Sequence, residues 1–281
     1  MKKYSGLHAL YMSFFSKDLY RDVVHGWKGI AFLYLFLLIM SSWFLISLKV
    51  YMVMNDAING PVKKILDKLP AVTIHDGELK IDKPSPYVLS LNSNDTMDPN
   101  LRKQNLELPI AVFDATTDDV KGHEEVPFLI TKHNFLIQSK DGKAQQIELK
   151  QFGEVLYNRD SYMQIAETVK IWVPIIVFLV FGPLSFIVCG ILVLILGAIG
   201  MAVAGGSNIK LTYGEAVRVA SVAFTPAVFL DTVVKLLPVP QSPIWPLIGF
   251  FAAMGYTIFG IMANKQAIVV EDSMPGGMPD S

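Results

Sequence analysis

The stretch IWVPIIVFLVFGPLSFIVCGILVLILGAIGMAVA, residues 171–204, decides the fold class of this chain, because it contains no charged side chain. A bilayer crossing needs about 20 apolar residues, since the hydrocarbon core is about 30 Å thick. As one helix the run would extend about 51 Å at about 1.5 Å per residue. It therefore predicts either one long helix, tilted or kinked near Pro183, or two tightly packed spans.

Three further apolar stretches have the length of a membrane span. Residues 30–48 read IAFLYLFLLIMSSWFLISL and residues 244–263 read IWPLIGFFAAMGYTIFGIMA, both without charge, and residues 213–237 are apolar except for four charged side chains. Hydropathy thus predicts an α-helical multi-pass membrane protein. Four spans are favoured, and five stay open if residues 171–204 hold two.

The polar residues 54–168 between the first two apolar stretches have the pattern of an inserted small α+β domain, mainly antiparallel β. A helix is predicted over Asp56–Leu69 and a hairpin around Asp76-Gly77, a dipeptide that tolerates the positive φ of a tight turn. Alternating apolar residues predict further strands, which are 87–93, 109–115, 127–139 and 144–150, with a second turn at Asp141-Gly142.

These patterns divide the chain into nine segments. They are a cytoplasmic amphipathic segment (1–29), span 1 (30–53), the extracytoplasmic domain (54–168), span 2 (169–204), a cytoplasmic connection (205–212), span 3 (213–237), an outer connection (238–243), span 4 (244–263) and a cytoplasmic tail (264–281). The first segment either lies flat on the membrane surface or packs on the cytoplasmic ends of the helices.

The sidedness follows from basic residues that precede the first span or lie in residues 205–212 and the tail. With four spans and both termini inside, all these basic residues face the cytoplasm, as the positive-inside tendency requires. The basic residues are Lys2, Lys3, Lys17, Arg21, Lys28, Lys210 and Lys265.

The charged residues of span 3 form two predicted pairs near its ends. Glu215 and Arg218 are spaced i, i+3, and Asp231 and Lys235 are spaced i, i+4 with the acid first, the favourable order on a helix. Charges near the membrane boundary cost little, so they are either structural pairs or a functional polar site.

Thr225 and Pro226 lie at mid-span. They predict a kink in which the threonine hydroxyl satisfies a freed carbonyl.

Small residues recur at helical spacing in spans 2, 3 and 4. These small residues predict close helix packing. The alternative is a substrate path along the proline kinks. The small residues are Gly190, Gly197, Gly200, Ala216, Ala220, Ala223, Ala227, Gly249, Ala253 and Gly260.

Catalytic and cofactor signatures are missing from the sequence. His123-Glu124-Glu125 lacks the second histidine of a zincin, and no GxSxG, Walker A or CxxC motif occurs. Several polar side chains could together bind a metal ion, but their spacing in the sequence favours solvated surface groups. These side chains are His75, His123, His133, Asp114, Asp118 and Asp119. We therefore predict no catalytic, cofactor-binding or metal-binding residue. A net charge of −1 gives no sign of nucleic-acid binding.

Three phrases carry a family resemblance: SFFSKDLYRDVVHGWKGIAFLYLFLL, LPAVTIHDGELKIDKPSPYVLS and LTYGEAVRVASVAFTPAVFLD. Together they resemble the bacterial domain-of-unknown-function family numbered 1189, small multi-pass inner-membrane proteins. The segment GGSNIKLTYGEAVRVASVAFTPAV is more distantly similar to the Yip-type membrane proteins. The first resemblance implies a bacterial inner-membrane location with the β-rich domain in the periplasm, and it implies no reaction.

The functional hypothesis is a non-enzymatic scaffold or binding and sensing protein. Its periplasmic domain would engage an envelope protein partner or a small-molecule ligand, while its helices form an anchor in the lipid bilayer, with a homo-oligomer left open. The alternative is a transporter or transporter accessory subunit in which Glu215, Arg218 and Asp231 line a path, and a membrane enzyme ranks third.

Overall fold

The computed structural model describes residues 3–27, 29, 31–92, 107–119, 126–138, 144–240 and 242–265. The chain forms two compact units. The helical unit comprises Met1–Lys49 with Pro174–Ser281, and the α+β unit comprises Val50–Val173. In the chain, the α+β unit is inserted between the two parts of the helical unit. Each boundary between the units, at Lys49/Val50 and at Val173/Pro174, lies within a long helix.

Four helical stretches among the described residues are long and apolar enough to cross a bilayer. Helix α3 is Ala31–Ala57, α5 is Arg159–Gly206 and α8 is Ile244–Met262, while the third stretch consists of α6, Tyr213–Ala223, and α7, Thr225–Leu236. The predicted predominance of helix and the four apolar helices are thus confirmed.

Residues 171–204 lie within the single helix α5, and helical bonding continues through Pro174 and Pro183. This continuity removes the structural basis for two packed spans in the run, and with it the reason for counting five. The helix begins at Arg159, so helical structure already precedes the apolar run. The kink near Pro183 stays a prediction.

The helix predicted over Asp56–Leu69 is present as far as Leu66, but it does not begin as a new element. Helical bonding instead continues from α3 into a π-helical turn, Ile58–Val62, and then into α4, Lys63–Leu66. Pro61 lies within the π-helical turn, and the helical path continues past it. The change to polar composition therefore marks no new helix here.

The N-terminal segment contains two short helices with different surroundings. Helix α1, Gly6–Met12, leaves Leu7 76% exposed, together with Tyr11. Helix α2, Lys17–Gly26, buries one face against α6 and α8, and Tyr20 belongs to the same apolar core as Val219 and Ile261. Helix α2 therefore packs on the ends of other helices, as one alternative predicted, and the side of the membrane stays a prediction. The exposed apolar side chains of α1 fit the surface-bound alternative.

The α+β unit contains two small sheets. One has the order β2-β1-β8 and the other β3-β4-β5-β6-β7. The strands are β1 Val72–His75, β2 Glu78–Ile81, β3 Tyr87–Asn92, β4 Glu107–Phe113, β5 Phe128–Ile130, β6 Asn134–Gln138, β7 Ala144–Glu148 and β8 Val155–Tyr157, with a 3-10 helix at Leu149–Phe152.

The hairpin predicted at Asp76-Gly77 is confirmed. Strands β1 and β2 pair antiparallel, and the two turn residues have φ values of 50° and 79°. The single strand predicted over 127–139 is wrong, because β5 and β6 pair antiparallel with each other across a turn. The second sheet is mixed, since β4 and β5 run parallel. Asp141-Gly142 lies outside the described residues.

Candidate functional site

The polar residues of the third apolar stretch lie at its two ends and at its break. At the start, Thr212 and Glu215 form a capping box. The Thr212 hydroxyl accepts the Glu215 backbone N–H at 3.4 Å, and the Glu215 carboxylate accepts the Thr212 N–H at 2.7 Å. Glu215 therefore satisfies backbone groups that a helix start leaves without partners.

Arg218 joins this helix start to the N-terminal segment. Its Nη2 lies 3.6 Å from the Glu215 carboxylate, as the i, i+3 spacing predicts, and donates to the Val24 carbonyl at 3.0 Å. Arg21 of α2 donates to the Ala263 carbonyl at 2.8 Å, just after α8. The end of α2, the start of α6 and the end of α8 therefore meet at one end of the helical unit.

The third stretch is interrupted at the predicted place. Phe224 separates α6 from α7, and Pro226 has no N–H to donate to the carbonyl four residues earlier, that of Val222. The Thr225 hydroxyl donates to this carbonyl at 2.7 Å, and its oxygen lies 2.7 Å from the Tyr34 hydroxyl. Because a hydroxyl has one hydrogen, Tyr34 is the donor to Thr225.

A second buried hydroxyl pair joins α3 to α7. The hydroxyl oxygens of Ser42 and Thr232 are 2.6 Å apart, and Thr232 donates to the Val228 carbonyl at 2.6 Å. Because the single hydrogen of the Thr232 hydroxyl is donated to Val228, Ser42 is the donor to Thr232. Neither pair was predicted, because the sequence does not tell which helices are neighbours.

The other end of α7 carries the second predicted ion pair. Lys235 Nζ donates to Asp231 Oδ2 at 2.7 Å and lies 5.0 Å from the ring centroid of Trp43. Lys49 Nζ donates to the Lys235 carbonyl at 2.9 Å. Two lysines and one aspartate thus converge where α7 ends near α3.

An apolar cavity of about 350 Å³ opens beside this group, between α3, α5, α7 and α8. Asp231 and Lys235 contribute charged groups to its wall. Trp43, Trp245 and Cys189 also line it. Among the six residues singled out in the sequence, Asp231 and Lys235 therefore share a cavity, whereas Glu215, Arg218, Thr225 and Pro226 hold the helix start and the helix break.

The predicted small surfaces lie at helix contacts. A Cβ added at Gly197 would lie 2.6 Å from Val217 Cγ2 and 3.3 Å from its Cα, and one at Gly260 would lie 2.6 Å from Tyr20 Cδ1. The alanines predicted to form a smooth stripe on α6 and α7 are buried; they are Ala216, Ala220, Ala223 and Ala227. Close approach of these helices depends on the missing side-chain volume.

The α+β unit has its own cluster of titratable groups around the β5–β6 turn. The Asp118 carboxylate accepts the His133 backbone N–H at 2.8 Å and lies 2.6 Å from His133 Nδ1. Glu78 lies 3.2 Å from Lys132 Nζ and 3.5 Å from His133 Nε2. Asp118 also accepts the Thr131 hydroxyl at 3.0 Å, so the cluster holds the turn together.

These contacts shift the pKa values of three side chains. The hydrogen bond to Asp118 raises the pKa of His133 against partial desolvation. Partial desolvation acts to raise the pKa of Asp118, but the hydrogen bonds from His133 and Thr131 outweigh it and lower that pKa. The hydrogen bond and the charge of Lys132 lower the pKa of Glu78.

The residues considered for metal binding fall into separate environments. His75 Nδ1 lies 2.9 Å from Glu154, and His75 Nε2 lies 3.5 Å from Asp76. These three exposed side chains could offer ligand atoms within 4.8 Å of one another, but the two carboxylates face different ring nitrogens. The buried Asp114 accepts hydrogen bonds from Ser85 and Thr116. His123 lies outside the described residues, and Asp119 lies in the same loop as Asp118.

Comparison with known proteins gives a family and no activity. The family described as "Protein of unknown function (DUF1189)" matches residues 7–261. No curated protein matches the chain, and no solved structure matches it. The suspected family is therefore confirmed, whereas the Yip-type similarity is not shown.

Proposed function

The chain belongs to the DUF1189 family, and from this premise we propose that it is a non-enzymatic binding or sensing protein of a bacterial inner membrane. Residues 54–168 lie in the periplasm and engage an envelope protein or a small-molecule ligand. The apolar helices anchor this domain in the bilayer, and both termini lie in the cytoplasm.

The observation that carries the proposal is the insertion of a separately packed α+β unit between two apolar helices. This unit has its own core, which includes Val72, Leu89, Phe113 and Leu149. A domain joined at both ends to spanning helices lies on one side of the membrane. Such an arrangement suits a protein that binds at the membrane and signals or assembles there.

The basic end of the helical unit supports the proposed sidedness. Arg21 and Arg218 join the N-terminal segment to the ends of α8 and α6, and Lys210 lies in the connection that precedes α6. All these groups lie on one side if four helices span. The positive-inside tendency assigns that side to the cytoplasm.

A topology experiment tests the location. Cys189 is replaced by serine, a single cysteine is placed by Asp76→Cys or by Lys210→Cys, and whole cells are treated with a membrane-impermeant maleimide. We expect labelling at position 76 in cells with a permeabilised outer membrane and labelling at position 210 only after the inner membrane is opened. The reverse pattern, or recovery of the protein without detergent, would contradict the proposal.

Photo-crosslinking tests the binding role. Leu156 on the edge strand β8 is 64% exposed, and Lys80 on the opposite edge strand β2 is exposed in the same sheet. A photoreactive residue at position 156 should yield a discrete adduct in native membranes, with position 80 as the matched control. If exposed positions throughout the described α+β unit gave no discrete adduct with protein or small molecule, the binding role would be wrong.

A transporter or transporter accessory subunit is the second candidate, favoured by the cavity beside Asp231 and Lys235. Cys189 lines this cavity and is the only cysteine of the chain. A transporter exposes such a site alternately to both sides, so impermeant thiol reagents should reach Cys189 from either side of sealed vesicles. An anchor should allow reaction from one side at most.

A further inference from the structure

We propose that the cavity of the helical unit binds an anionic phospholipid, with an acyl chain between the helices and the phosphate near Lys49 and Lys235. This site is separate from the binding role proposed for the α+β unit. It rests only on the membrane location of the helices.

The size and the chemistry of the cavity suit an acyl chain. Its volume of about 350 Å³ lies in the usual range for small-molecule sites, roughly 300–1,000 Å³. Apolar side chains form most of its wall, including Val188, Leu192 and Phe250. In a bilayer, the molecules that surround an apolar opening between helices are lipids.

The charged group beside the cavity has N–H donors that are not used within the protein. Lys235 lines the cavity, and Lys49, which is not a lining residue, contacts the Lys235 carbonyl. An ammonium group has three N–H donors and no acceptor. Lys235 Nζ donates to Asp231, and Lys49 Nζ donates to a backbone carbonyl, so each of these hydrogen bonds uses one donor of its ammonium group. Among the described residues Asp231 is the one carboxylate within ion-pair distance of either lysine. Two positive charges and one negative charge leave a surplus that attracts an anionic headgroup.

The two tryptophans of the cavity wall place the polar end at headgroup depth. The Lys235 ammonium group lies over the ring of Trp43. Trp245 Nε1 donates a hydrogen bond to the Pro240 carbonyl at 3.4 Å, in the connection after α7. Tryptophan is enriched at the level where hydrocarbon meets headgroups. The phosphate of a lipid whose acyl chain fills the cavity would then lie beside Lys235, at this end of the cavity.

Cys189 provides a direct readout of occupancy because it lies in the cavity wall. The full chain is purified in a mild non-ionic detergent, and the rate at which N-ethylmaleimide modifies Cys189 is measured by mass spectrometry at fixed pH. Added lipid is 1-palmitoyl-2-oleoyl phosphatidylglycerol, compared with the phosphatidylcholine and phosphatidylethanolamine of the same chains. Phosphatidylglycerol at about ten times its dissociation constant should slow modification about tenfold.

Matched variants assign the effect to the polar end. Lys49→Gln, which removes the surplus positive charge, should lose the protection by phosphatidylglycerol. The neutral double variant Asp231→Asn with Lys235→Gln keeps that surplus but removes one of the two ammonium groups, so it should weaken the protection. Lys210→Gln, which removes one positive charge from the other end of the unit, should keep it. The double variant avoids an unpaired charge, and an unchanged thermal midpoint in detergent shows that each variant is folded.

Several outcomes would overturn the proposal. Equal protection by all three phospholipids would mean general shielding by lipid. Full protection retained in both Lys49→Gln and the double variant would show that the two lysines do not bind the headgroup. Protection by sodium oleate but not by phosphatidylglycerol would assign the cavity to a free fatty acid. Carbonate extraction of the same membranes tests the location separately, so a failure of lipid binding is distinguishable from a failure of the proposed function.

Discussion

The Thr225 hydroxyl donates to the carbonyl of Val222, which is the carbonyl that Pro226 leaves without its helical partner. The break in the third apolar stretch is thus satisfied by the side chain next to the proline. Tyr34 of α3 donates to the same hydroxyl, so one threonine repairs the break and links two helices.

Replacing Thr225 by valine should therefore destabilise the helical unit. The substitution keeps the shape but leaves a buried carbonyl and a buried tyrosine hydroxyl unsatisfied, at a cost of about 1–3 kcal/mol. Thr225→Ser, which keeps the hydroxyl, should lose much less. The measurement is the free energy of unfolding in mixed micelles, and equal losses for valine and serine would contradict the role of the hydroxyl.

The capping box predicts a non-additive pair at the start of α6. Thr212→Ala and Glu215→Ala should each cost about 1 kcal/mol, since each removes a partner of the helix start. The double variant should cost less than the sum, because the box is already broken by either change. Strict additivity of Thr212→Ala with Glu215→Ala would show that the two residues act separately.

Close helix packing predicts a contrast between two glycines. Gly197→Ala places a Cβ against Val217, and overpacking of this kind costs about 1–3 kcal/mol. Gly255→Ala lies on an exposed part of α8 with nothing within 4 Å, so it should leave stability unchanged or raise it slightly. Thermal unfolding of both variants in the same detergent gives the comparison. A Gly197→Ala variant as stable as the parent would show that Val217 moves freely.

The sequence predicted features whose cause is local. Hydropathy located the apolar helices because a span needs a long uncharged run, and Asp76-Gly77 located a turn because both residues take positive φ. The capping box could also have been found, since Thr212 and Glu215 have the spacing of its signature.

Features that depend on distant partners were missed. The contact of Lys49 with the end of α7 joins residues 186 positions apart, and no periodicity tells which helices are neighbours. The parallel pairing of β4 with β5 depends in the same way on the path of the whole chain. The continuity of α3 with the helical turns that end at Leu66 was missed because the change from apolar to polar composition after residue 53 was taken as the end of the first helix.

The titratable cluster of the α+β unit predicts that the β5–β6 turn is most stable in mildly acidic solution. The pKa of His133 is raised above its ordinary 6.5, so its stabilising contribution is complete below that value and is lost as the pH rises through the folded-state pKa. The pKa values of Glu78 and Asp118 are lowered from 4.5 and 3.8, so their contributions are complete above those values and are lost as the pH falls. Stability of the turn should therefore be greatest between 4.5 and 6.5.

Hydrogen exchange of the full chain and of His133→Gln measures this effect when each measured rate is divided by the intrinsic rate for that sequence at the same pH. The His133 amide donates to Asp118, and we expect it to exchange more slowly in the parent than in the variant at pH about 6, with the difference shrinking by pH about 8.5. His75→Gln is the matched control, because His75 contacts Asp76 and Glu154 and should leave protection of this turn unchanged. A difference between parent and His133→Gln that stayed constant or grew with rising pH would show that the charge of His133 does not stabilise the turn.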